Sequence, residues 1–129
     1  MTAEASSVGT RVERLVAGVE LRAMVYRCLN DSDWTMLEVS PGCRTVTGYP
    51  PEAVLGNATL SYASLIVPED RIQVSATVQE ALAEHRPFQL HYRIRHADGS
   101  TRQVWEQGWG RYDGSGRLDA IEGVIVDAG

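Results

Sequence analysis

The chain has 129 residues, 43% of them hydrophobic, and a formal net charge of −5. That describes one domain burying about two thirds of its unfolded surface; it excludes a disordered or collagen-like chain, and the acidic balance argues against a nucleic-acid partner. All 12 basic residues are Arg, which excludes lysine Schiff-base chemistry and a P-loop lysine, and no run approaches the roughly 20 apolar residues of a membrane helix.

The segment Met1–Ser7 has neither a basic start nor an apolar block, so no secretory signal is expected. Cys28 and Cys43 lack zinc-like spacing with His and fit two reduced thiols in a cytoplasmic domain. Val12, Leu15, Val16 and Val19 recur at i, i+3, i+4 and i+7, which predicts an amphipathic helix with a narrow apolar stripe. Residues 1–23 are therefore expected to be a tail and helix, with the domain proper at 24–129. Met24–Leu29 and Trp34–Val39 flank the polar turn Asn30–Asp33 and predict a β-hairpin. From Pro41 to Ile66, Gly42, Gly48, Pro50-Pro51 and Gly56 break the chain into short helices. Pro68-Glu69-Asp70 opens a longer helix, with Pro and acids where a first turn favours them.

Phe88, Leu90, Tyr92 and Ile94 alternate with Gln89, His91, Arg93 and Arg95, a clean strand period. Asp98-Gly99 turns into a strand over Val104–Tyr112, and Asp113–Gly116 turns into Leu118–Val126, apolar on both faces. The sum is an α+β fold: a five-stranded antiparallel sheet with helices on one face, preceded by the N-terminal amphipathic helix.

Four motifs carry a family likeness. Ser40-Pro41 followed by Thr47-Gly48-Tyr49-Pro50-Pro51-Glu52-Ala53-Val54-Leu55-Gly56 resembles an N-P-x(n)-T-G-Y-x-x-E-E-L-x-G signature. Val67-Pro68-Glu69-Asp70-Arg71 resembles H-P-D-D-R. Arg93, Asp98-Gly99 and Trp105 fit R-x(n)-D-G-x(n)-W, and Gly123 with Asp127 fits the start of G-x-x-x-D-I-T. In that order and spacing they resemble the PAS domain, a sensory module of bacterial signalling proteins, over about Met24–Asp127. Ser40 and Val67 depart from the usual Asn and His, and the Ile-Thr of the last motif is absent.

The resemblance implies a non-catalytic sensor and homodimer, upstream of a histidine kinase or a GGDEF diguanylate cyclase. It implies dimerisation through the stripe Val12, Leu15, Val16 and Val19, and signal output through Asp127. It places a cavity between sheet and short helices, with Tyr62, Leu65, Ile66, Val74, Val78, Phe88, Tyr92 and Ile94 as its candidate lining. A small-molecule ligand of unknown identity and a filled core both fit that list, whose one polar member facing inward is Tyr92. Photoactive relatives carry N-C-R-F-L-Q, whereas the matching segment here reads Asn57-Ala58-Thr59-Leu60-Ser61-Tyr62. Haem-binding relatives use a His inside the long helix, and Glu69–Ala83 contains none. Neither flavin nor haem is expected, nor is a metal, because period 2 splits His91 from His96. Those two His read as solvated strand groups, and Asn57 as a helix cap. The alternative is a small α+β enzyme using His96 and Asp98 as an acid–base pair.

Overall fold

A computed structural model of the chain describes residues 22–129, so the stripe at Val12, Leu15, Val16 and Val19 lies outside the described residues. Five strands form one antiparallel sheet: β1 (Ala23–Cys28), β2 (Met36–Val39), β3 (Phe88–Arg95), β4 (Thr101–Tyr112) and β5 (Leu118–Asp127). Their order across the sheet is β2-β1-β5-β4-β3. The chain's first and last strands thus pair at the centre. Between β2 and β3 come α1 (Cys43–Thr47), α2 (Pro51–Val54), α3 (Tyr62–Leu65) and α4 (Pro68–Ala83).

The helices begin and end for local reasons. Gly48 closes α1 at φ +82°, a conformation that L side chains resist. Ser61 caps α3 by accepting the Ser64 amide, and Pro68 opens α4 with Glu69 and Asp70 in its first turn. Asp70 then grips Arg93 of β3 through two side-chain bonds of 2.9 and 3.0 Å and takes its amide at 2.9 Å. That docks the long helix on the sheet edge. The helix finishes at Ala83, before His85 turns at φ +52°, so the stop precedes Pro87.

One face of the sheet carries the core. Met24, Ile94, Val104 and Ile125 have no exposed surface, and Ile66, Val74 and Val78 of the helical layer pack against the same cluster. The opposite face carries His91, Arg93 and Arg95 of β3 and the exposed Trp105 and Trp109 of β4. The ring of His91 stacks on Trp105 with centroids 4.4 Å apart. Asn57 is a correction to the sequence expectation. It caps no helix but sits at φ +60° after α2, where its amide donates to Thr35 Oγ1 at 2.9 Å.

Candidate functional site

The centre of the inner face is polar. On β4 the inward positions are Val104, Glu106, Gly108 and Gly110, because Trp105, Gln107 and Trp109 take the outer parity. Glu106 stands opposite Leu90 on β3 and Ile125 on β5. Its Oε1 accepts the Tyr92 hydroxyl at 2.6 Å, and its Oε2 accepts the hydroxyl of Tyr26. Tyr62, on α3, lies 2.8 Å from the Tyr92 oxygen. Since Tyr92 spends its proton on Glu106, Tyr62 donates to Tyr92. Each of the three tyrosines is at most 4% exposed.

Two glycines make this reach possible. Tyr26 is on β1, two strands from Glu106, and its ring must cross β5. It pairs in register with Gly123, which pairs in turn with Gly108. A Cβ on Gly123 would lie 2.7 Å from the Tyr26 hydroxyl oxygen, and one on Gly108 would lie 2.8 Å from it. Side-chain-free backbone on two neighbouring strands is the trench in which the ring lies.

Electrostatics follow from burial. Removal from water pushes the Glu106 carboxyl above the ordinary glutamate range, and the hydrogen bonds from Tyr26 and Tyr92 offset this only in part. Burial, and next the nearby Glu106, raise the hydroxyls of Tyr26, Tyr62 and Tyr92 well above 10.0. Burial keeps Cys28 a thiol, with Glu106 adding to the effect.

These groups face a cavity of about 20 Å³, room for about one water. Of the residues named from sequence, Tyr62, Ile66, Val74, Val78, Phe88 and Tyr92 line it. Leu65 and Ile94 are buried in the same core but stand away from its walls. Tyr26, Cys28, Trp34, Met36, Leu90, Glu106, Ile121 and Ile125 complete the lining. The expectation that Tyr92 is the one polar group inside is therefore corrected. It overlooked that β4 turns a carboxyl inward, and the signal available was the shared parity of Glu106 with buried Val104.

The remaining candidates lie elsewhere. His96 and Asp98 occupy the β3–β4 turn, where the Asp98 amide donates to His96 Nδ1 at 3.1 Å, and neither lines the cavity. His96 is also not solvated: its side chain is 13% exposed and packs where a Gly48 Cβ would be. Hydrogen bonds from Ser100, above all, hold Asp98 far below the usual carboxylate range, which suits a turn anchor rather than a base. Among the described residues no cluster of three or more His, Cys, Asp or Glu is placed to hold a metal ion. The Asp127 side chain is 4% exposed and joins three elements. It accepts Arg102 of β4 at 3.1 Å, lies 3.7 Å from Arg22 at the start of β1, and donates its amide to the Arg22 carbonyl at 2.8 Å. Arg102 in turn holds Asp98 at 2.9 Å.

This architecture is shared with known proteins. Among solved structures the chain is similar to a sensory box histidine kinase/response regulator from Burkholderia thailandensis, at TM-score 0.69 and 22% identity over 92% of this chain and 84% of that one. It is also similar to a PAS domain from Colwellia psychrerythraea, at TM-score 0.71 and 18% identity over 89% and 93%. A structure of a light-oxygen-voltage domain with a flavin analogue matches at TM-score 0.66 and 20% identity over 92% and 85%. The blue light receptor lreB of Aspergillus flavus is 30% identical over 73 residues, which span 57% of this chain and 14% of that receptor. A family model described as the PAS fold matches residues 36–125, which takes in β2 to β4, most of β5, the four helices and most of the walls of the Glu106 cavity, and so this chain belongs to the PAS family of sensor domains.

Proposed function

We propose that the chain is the sensor and dimerisation module of a cytoplasmic bacterial signalling protein, with the Glu106 cavity as its sensing point and Asp127 as its output. A histidine kinase or a diguanylate cyclase is the following effector, in keeping with the sensory box kinase above and a diguanylate cyclase PAS domain from Marinobacter aquaeolei among the structural neighbours. The observation that carries this reading is on one strand: β4 holds Glu106 at the cavity and Arg102 at Asp127. A displacement of β4 caused inside the cavity therefore acts on the ion pair where the domain ends, and shifts the population of its arrangements.

A flavin does not fit this cavity. Its side chains leave about 20 Å³, against several hundred for sites that enclose drug-sized ligands, and a carboxyl occupies the centre. Among the described residues no His lines it for haem.

The test is a cavity-filling substitution read at the far end of β4. Val78→Ile adds one methylene toward the cavity. Hydrogen exchange should change at the Asp127 and Ala128 amides, which bond the Arg22 and Gln103 carbonyls. A change confined to the neighbours of residue 78 would defeat the coupling. For the dimer, Leu15→Glu and Val19→Glu should each give a folded monomer by light scattering, and two dimeric variants would place the interface elsewhere.

A further inference from the structure

The cavity contains an acid and no base. Among the described residues no Arg or His is in its walls, and the helix above it contributes Val74 and Val78. From the other elements Glu106 is faced by Tyr26 and Cys28 of β1, Tyr62 of α3 and Tyr92 of β3, while β5 supplies apolar Ile121 and Ile125. The hydroxyl protons of Tyr26 and Tyr92 already point at the carboxyl. A carboxylate oxygen accepts more than one donor, so capacity for another remains on each side. An anion would meet Glu106 unfavourably, and a neutral guest could donate to that spare capacity but would bring no charge to pair with it. A compact cation gains the carboxylate and the aromatic rings around it, which attract positive charge in a desolvated site.

Size and access narrow the class. A space of about 20 Å³ admits a head group the size of water, which describes ammonium and not guanidinium. Trp34 and Ile66 line this cavity and also an outer groove of about 450 Å³ beside Asp31, Arg71, Ser75 and Gln79. Trp34 thus stands between them, in the turn before β2, at φ +50°. A non-glycine turn residue in the left-handed region has a lower-energy backbone alternative, so Trp34 is the wall best able to move.

We propose that the cavity is a receptor for small primary ammonium compounds, with the charged head against Glu106 between Tyr26 and Tyr92 and the carbon tail leaving past Trp34 into the outer groove. This rests on the sensor reading above, since it names the ligand class of the same cavity. The step balances as an exchange of cations: the ammonium enters, the Glu106 carboxyl gives its proton to solvent, and no covalent bond to carbon forms or breaks. Affinity therefore rises with pH while Glu106 is protonated in the free protein, by at most about tenfold per pH unit.

The test is an NMR titration of the 129-residue chain with n-butylammonium, and with n-butanol as the uncharged match. Saturating shifts are expected at Trp34, Tyr92 and Glu106, with the alcohol at least tenfold weaker. Glu106→Gln should lose at least tenfold in ammonium affinity and leave the alcohol unchanged, its folding checked by circular dichroism. If that variant does not fold, Tyr92→Phe replaces it, and weaker ammonium binding is expected. Equal binding of alcohol and ammonium, unaltered affinity in the variant, or non-saturating shifts spread over the acidic surface would each overturn the proposal. The two readings fail separately. Absent ammonium binding with an altered Asp127 junction in Val78→Ile removes only the ligand class. Ammonium binding with an unaltered junction removes the coupling.

Discussion

Replacing Glu106 by Gln separates its charge from its shape, and the consequence for stability has a definite sign. Burial raises the native carboxyl above the reference value of 4.5. Between that value and the raised one, the folded state holds a proton that the unfolded state has released. Stability contributed by this group is therefore complete below the unfolded value and is lost as pH rises through the native one, at no more than about 1.4 kcal/mol per pH unit. The aspartates act oppositely and lower down. Hydrogen bonds from Ser100, Ser115 and Arg93 lower Asp98, Asp113 and Asp70, respectively, from 3.8. Their stabilisation is present above the unfolded value and lost as pH falls through the native ones. The two windows do not overlap, so stability should climb through the aspartate range, peak, and then decline along the Glu106 limb. Urea unfolding from about pH 2 to 8 measures this. At pH 4.5 the Gln variant should be less stable by about 1–3 kcal/mol, because a protonated carboxyl still accepts at both oxygens whereas the amide sets an NH2, which cannot accept, opposite one of the donating tyrosines. The difference should then shrink with rising pH, since the variant lacks the declining limb. Parallel pH profiles for the two proteins would mean that Glu106 titrates alike folded and unfolded, and the account of its burial would be wrong.

Two further substitutions probe the surroundings of that carboxyl. Gly123→Ala places a Cβ 2.5 Å from the Gln107 carbonyl and 2.7 Å from the Tyr26 hydroxyl. Urea unfolding should show a loss of about 1–3 kcal/mol, and a loss under about 0.5 kcal/mol would mean that the strands move apart freely. Asp127→Ala leaves Arg102 without its 3.1 Å partner while the exposed Arg22 pair contributes little. Here exchange should quicken at Ala128, and the Glu106 and Tyr92 resonances should shift, since coupling through β4 runs both ways; an unchanged Ala128 would remove the side chain from the junction.

The fold was legible in the sequence wherever a pattern belonged to one segment. Alternation from Phe88 to Arg95 marked β3, Asp98-Gly99 and Asp113–Gly116 marked the turns, and Pro68-Glu69-Asp70 marked the start of α4. The site was legible only in part, because its chemistry belongs to no single segment. In β4 the tryptophans draw the eye to Trp105 and Trp109, yet these face outward, and the inward parity reads Val-Glu-Gly-Gly. Taken alone, that looks like a polar, solvated face. It becomes an interior only because Tyr26 and Phe88 from β1 and β3 supply the volume that Gly108 and Gly123 give up.

The same division of labour explains why the site is suited to transmitting a change. Tyr26 approaches Glu106 from one side of β4 and Tyr92 from the other, each bonding a different carboxylate oxygen. A slide of β4 against either neighbour cannot lengthen one bond without disturbing a buried acid whose remaining surroundings are largely apolar. Leaving such a group underbonded costs about 1–3 kcal/mol or more, so intermediate positions are disfavoured and β4 is held in register. A guest or a proton that changes what Glu106 requires also changes the preferred register. Arg102, on the same strand, carries that preference to Asp127.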